Sequence, residues 1–113
     1  MSNGSSRITV EAIEVMQLID VEILYLLKES SQTLYSLRRG LADVFSEMRS
    51  FGTIHPHLVK LEYQGLIKGA QKTRPSGDGP NKRPFVLTRR GRSTLDKQVN
   101  VLAKTVLKMT SRA

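Results

Sequence analysis

The chain has 113 residues, enough for one domain with a single core and too few for two ordinary ones. Its 39% apolar and 25% charged residues exclude disorder along the whole length, and the lack of any cysteine excludes disulfides, a thiol nucleophile and thiolate metal ligation. The formal net charge of +8 is unevenly spread: residues 1–59 hold 5 basic and 7 acidic groups, residues 60–92 hold 9 basic and 2 acidic.

Residues 1–8 read as a flexible polar tail. Ser2–Ser6 has no apolar h-region of a signal peptide, and no apolar run nears the roughly 20 residues that span a bilayer. No membrane partner is expected, and the expected compartment is the cytoplasm. Ala12, Met16, Ile19, Ile23 and Leu26 then recur at helical spacing. Two arrangements fit: one long helix capped by Thr9, or a break with Asp20 capping a second piece over 21–29. Ser30, Ser31 and Gln32 interrupt the pattern. Thr33 is the expected N-cap of the next helix, with Leu34, Leu37, Leu41 and Phe45 on its inner side.

After Ser50-Phe51-Gly52, Thr53 is the expected cap of a third, short helix over about 53–64. Pro56 would fall in its first turn, Ile54, Leu58 and Leu61 would face inward, and Gly65 would supply the left-handed stop. Leu66–Arg74 and Arg83–Thr88 read as two strands around a Pro/Gly-rich tip, with basic flanks. The final helix is expected from Thr88 to Met109, with Gly91 tolerated near its start. Its seam of Leu95, Val99, Leu102, Val106 and Met109 repeats at 4, 3, 4 and 3. A helix of that length, about 31 Å, is longer than a small domain covers alone, so the seam is assigned to dimerisation.

Three helices, a two-stranded wing and a long last helix make an α+β, mostly α, winged helix-turn-helix. The DNA-binding domain is expected over 9–88 and the dimerisation helix over 89–113. The segment Gly52-Thr53-Ile54-His55-Pro56-His57-Leu58-Val59-Lys60-Leu61-Glu62-Tyr63-Gln64-Gly65-Leu66-Ile67 resembles the G-T-L-Y-P-x-L-x-x-L-E-x-x-G-L-I stretch of PadR-type transcriptional regulators. Leu87-Thr88-Arg89-Arg90-Gly91-Arg92 resembles the L-T-x-x-G-R end of that family's wing, a motif shared with MarR-type regulators, including archaeal ones of similar length. Ile23-Leu24-Tyr25-Leu26-Leu27 matches the first-helix I-L-x-x-L. His55 stands where that family has tyrosine, and Thr33-Leu34-Tyr35 only echoes its H-G-Y. The resemblance implies a sequence-specific regulator of double-stranded DNA at the nucleoid, a repressor by analogy.

From the residues themselves, a helix fits the major groove and presents its N-terminal side chains to base edges. Thr53, His55, His57, Lys60 and Gln64 are the candidates on the third helix. Lys72, Arg74, Lys82 and Arg83 on the wing, with Arg89 and Arg90 opening the last helix, are the candidates for backbone or minor groove. A twofold dimer would set half-sites about 34 Å apart. His55 and His57 point about 200° apart on a helix and cannot share a metal. No metal, cofactor or catalytic residue is expected, and Gly77-x-Gly79 is no nucleotide-binding loop. The alternatives are a winged helix that binds another protein and a non-specific chromatin-like DNA-binding protein; the sequence specifies no small-molecule effector.

Overall fold

The computed structural model describes residues 14–70 and 83–111. Helix α1 (Leu18–Glu29) runs through the middle of the molecule: eight of its 12 residues are buried, including Ile19, Ile23, Leu24 and Leu27. A helix that is apolar on most sides must be covered on most sides. It packs on α2 (Leu34–Phe45), on the strand Phe85–Leu87 and on the last helix. Of the two arrangements left open for the N-terminal helix, the described residues show the chain broken before Leu18, with Met16 outside the helix. Asp20 lies in the first turn of α1 rather than capping it, its N–H donating to the Gln17 carbonyl at 3.0 Å. Thr9 and Ala12 lie outside the described residues.

Thr33 caps α2 as expected, and Ser36 completes a capping box. The Thr33 hydroxyl accepts from the Ser36 N–H at 3.1 Å, and the Ser36 hydroxyl accepts from the Thr33 N–H at 2.8 Å. Leu34, Leu37 and Leu41 are buried, and Phe45 packs against their edge.

Helix α3 (Phe51–Tyr63) begins two residues earlier than the sequence suggested. Ser50, with extended backbone, is the cap and accepts the Thr53 N–H at 3.2 Å, so Thr53 belongs to the first turn. Pro56 therefore sits deeper in the helix and leaves the Gly52 carbonyl without its helical donor. The C-terminal end is as expected: Gly65 has φ +78°, Leu66 N–H donates to the Leu61 carbonyl and Gly65 N–H to that of Glu62. That pair of bonds is a Schellman closure.

Strands β1 (Ile67–Gly69) and β2 (Phe85–Leu87) pair antiparallel, Lys68 opposite Val86. Against the expected 66–74 and 83–88, Leu66 stands outside β1 because it closes α3, and Thr88 stands outside β2 because it caps the next helix; residues 71–82 of the wing, including 71–74 of the first expected strand, lie outside the described residues. Phe85 also bridges Gln32, which adds a third backbone to the base of the wing.

The last helix, α4 (Arg89–Ser111), starts with the Thr88 hydroxyl accepting the Gly91 N–H at 2.9 Å while donating toward the Gly65 and Leu66 carbonyls. A Cβ at Gly91 would overlap the Leu66 carbonyl oxygen. Glycine there is required by that close approach, not merely tolerated. Gln98, buried on α4, accepts from the Met16 N–H and donates to the Glu14 carbonyl, fixing the segment ahead of α1. No helix among the described residues is long and apolar enough to cross a membrane.

Two acids, Asp20 and Glu22, are buried among these helices. Glu22 is 5% exposed, and its Oε1 has no hydrogen-bond partner among the described residues. Burial, then the hydrogen bond and charge of Glu47, push its carboxyl from the ordinary 4.5 to about 7, with Arg49 pulling the other way. The folded chain thus prefers the neutral form. The stability that goes with it is fully present below about 4.5 and is lost as pH rises through about 7. Replacing Glu22 with Gln is expected to raise the urea midpoint at pH 8, leave it nearly unchanged at pH 4.5, and flatten the profile between. Chemical denaturation at those two pH values checks this, and parallel profiles for variant and wild type would refute it.

Candidate nucleic-acid interface

Two ionic ties fix how α3 is rotated about its axis. On one flank, Asp20 of α1 is 2% exposed; its Oδ1 lies 2.8 Å from His57 Nδ1, and its Oδ2 accepts from Lys60 Nζ at 2.6 Å. A carboxylate out of water is costly unless both oxygens are satisfied, and these two bases satisfy them. On the other flank, Glu62 Oε2 accepts from Arg83 at 2.8 Å and from the Gly69 N–H at 3.0 Å. Arg83 also donates to the Ala70 carbonyl and lies 5.2 Å from the Phe85 ring centre. Gly69 leaves room for that guanidinium, since a Cβ there would collide with it.

With Ile54, Leu58 and Leu61 in the core and the flanks tied, the remaining stripe of α3 faces solvent. It consists of Gly52, Pro56, Val59 and Tyr63, with His55 and Thr53 beside it. Val59 is 54% exposed and Tyr63 92%. These residues stand at i, i+4, i+7 and i+11, the spacing of one helical face.

The sequence-predicted residues divide accordingly. Thr53 and His55 are exposed near the start of α3, and Gln64 is exposed as its C-cap. His57 and Lys60 are turned to Asp20, and Arg83 to Glu62. Lys72, Arg74 and Lys82 lie outside the described residues. Arg89 and Arg90 are exposed at the start of α4, and neither forms an ion pair among the described residues.

The seam on α4 also divides. Leu95 is 2% exposed inside this chain's own core, where the first turns of α4 lie on α1 and β2. Leu102 packs partly against that core, while Val99, Val106 and Met109 are exposed. Leu95 is therefore spent within the single chain.

The structure adds residues that the sequence analysis did not single out. Arg38 donates to the Arg49 carbonyl at 3.0 Å and stands 4.8 Å over the Phe51 ring, against which Tyr35 packs edge-on. The cluster seats the start of α3 on α2. With exposed Arg39 it lines a surface hollow of about 280 Å³ beside the α3 N-terminus. The outer stripe was recoverable from spacing alone, since 52, 56, 59 and 63 lie opposite 54, 58 and 61. Asp20 and Glu62 gave no local signal.

Comparison with known proteins gives this geometry a context. The model of the transcriptional regulator PadR-like family matches residues 23–97. Among solved structures, the chain is similar to a PadR-like transcriptional regulator from Bacillus cereus strain ATCC 14579, with TM-score 0.69 and 23% identity over 83% of this chain and 89% of that one. It is similar to a PadR family transcription regulator from Clostridium difficile R20291, with TM-score 0.65 and 25% identity over 83% and 98% of the two chains. A PadR-like transcription factor from Bacteroides fragilis gives TM-score 0.72 at 17% identity, over 98% and 100%. No match is found among curated proteins.

Replacing Asp20 with Asn removes the charge while keeping the shape. The variant is expected to lose about 1.5–3 kcal/mol, the worth of a hydrogen bond to a charged group. Lys60 is part-exposed and can return to water, which keeps the loss below that of breaking a fully buried pair. Urea denaturation measures it, and an unchanged midpoint would show the anchor to be idle.

Proposed function

The chain belongs to the transcriptional regulator PadR-like family and is a DNA-binding transcription regulator, and from that premise we propose that it acts as a homodimeric repressor on double-stranded DNA. The observation that carries the reading is the clamped α3, whose one free stripe looks outward between cations that have no acidic partner among the described residues. In this reading the stripe enters the major groove. Arg39 on one side and Lys68, Arg89 and Arg90 on the other meet phosphates, together with Lys72, Arg74 and Lys82 of the wing. Three arginines in the first turn of α4 oppose the helix dipole, and an anion beside them relieves that conflict. As a regulator it works at the nucleoid in the cytoplasm, and it represses by occupying sites that the polymerase needs.

Dimerisation is supported by the apolar surface that one chain leaves uncovered. Val106, Leu107 and Met109 protrude from the last turns of α4. Leu18, Val21, Tyr25, Val44, Phe45, Val99 and Leu102, with Glu22 as the one ionisable group, line a groove of about 340 Å³ between α1, α2 and α4. A second copy would bury both, and its twofold axis would place two α3 helices on successive major grooves.

Titrating fluorescent duplexes across a range of salt concentrations tests the DNA reading. Affinity is expected to fall steeply with salt, and replacing Arg89 and Arg90 by Ala, which removes four arginines from a dimer, should weaken binding alike on all sequences and reduce the log–log slope by up to about 4. An unchanged slope would remove these arginines from the interface. For the dimer, Val106→Asp with Met109→Asp touches only exposed positions and should leave folding intact. Sedimentation is expected to show a dimer for wild type and a monomer for the variant; identical sedimentation would refute the α4 contact.

A further inference from the structure

We propose that the outer stripe of α3 reads thymine: Pro56, Val59 and Tyr63 contact the 5-methyl groups that A·T pairs present in the major groove. The inference rests on the DNA-binding reading above and adds which bases are recognised, and by what chemistry.

The argument starts from what the stripe lacks. Guanine is most often read by Arg or Lys forming two bonds to O6 and N7. Helix α3 contains no arginine, and its one lysine, Lys60, is held by Asp20 at 2.6 Å. Adenine is read by the paired donor and acceptor of Asn or Gln. No Asn or Gln lies within α3, and Gln64 stands beyond its last turn as the C-cap. What the centre of the stripe presents is a proline ring without a donor, a valine 54% exposed and a tyrosine 92% exposed, apolar over its ring and polar only at its terminal hydroxyl. The one base-edge feature that an apolar side chain recognises in the major groove is the thymine methyl.

The spacing fits a short run of base pairs. From Pro56 to Tyr63 the helix rises about 10 Å, or about three base-pair steps at 3.4 Å each. Val59 lies between them on the same face. The nearby cations Arg39, Arg89 and Arg90 belong to other elements, so they supply attraction to phosphate without entering this stripe. His55 and Thr53 stay at the stripe's start, where hydrogen-bonding groups are available to a neighbouring pair.

The test uses the full chain and begins with selection of bound fragments from random duplex DNA. Enriched half-sites are expected to carry thymine within a four-pair core. Each thymine of a selected site is then exchanged for deoxyuridine, which removes the methyl group and nothing else. One or two positions per half-site should lose about three- to fivefold in affinity, the worth of one buried methyl. In Val59→Ala, a surface change that keeps the helix, the loss at one of these positions should shrink toward none. Tight, selected sites whose affinity ignores every uracil exchange would overturn this inference and leave the DNA-binding reading standing. A G·C core would do the same. Failure to enrich any duplex would overturn the DNA-binding reading itself, and with it this one.

Discussion

The arrangement of the interface depends on one buried carboxylate. Asp20 sits in the first turn of α1, almost out of contact with water, and takes one bond from each of two bases one helical turn apart on α3. A buried acid with both oxygens satisfied by partners on one neighbouring helix permits few alternatives, because any misalignment strands charge in a poor solvent. Turning α3 by one residue, about 100°, would carry His57 and Lys60 away from Asp20 and expose Ile54 or Leu61. Hydrophobic burial alone would leave the helix some latitude. The ion pairs remove it.

The wing and the last helix are fixed to α3 by similar means. Glu62 gathers Arg83 and the Gly69 amide, so the base of the wing is bonded to the helix it flanks. Thr88 joins the Gly65–Leu66 turn to the start of α4, and the absent side chain at Gly91 lets the helix settle onto the Leu66 carbonyl. The Leu-Thr-x-x-Gly run is therefore a packing device. Its consequence for function is positional: it brings Arg89 and Arg90 beside the C-terminal end of α3.

Much of the fold was legible in the sequence because it rests on local periodicity. Leu34, Leu37 and Leu41 on α2, and Ile54, Leu58 and Leu61 on α3, are buried where their spacing put them. Thr33 and Gly65 cap and stop as expected, since both act within a few residues of themselves. The start of α3 was misjudged because Ser50 and Thr53 are both good caps. The choice between them turns on Phe51, whose ring is held by Tyr35 and Arg38 from another helix. The same non-locality hid the anchors. Lys60 and His57 were expected on the outer face, but both turn to an acid that stands about 40 positions earlier in the chain. A seam such as Leu95–Val99–Leu102 has one period whether its residues meet their own core or a second copy, so spacing alone could not divide it.

These pairings explain how a basic chain comes to present an outer α3 stripe that is not basic, the surface proposed above to read DNA. Phosphate contacts place a protein on a duplex without regard to sequence, whereas contacts to base edges carry discrimination. In many helix–groove complexes one arginine or lysine on the inserted helix contributes to both. Here the cation best placed for that double role, Lys60, is neutralised from behind by Asp20, and the exposed arginines sit on α2 and α4. Under the proposed binding mode, the salt-dependent term and the sequence-dependent term fall to different side chains. Changing one is then not expected to drag the other with it, because additivity holds where residues share no partners. Among the described residues, what links the two sets is the seating of α3, which returns the question of specificity to the buried carboxylate beneath it.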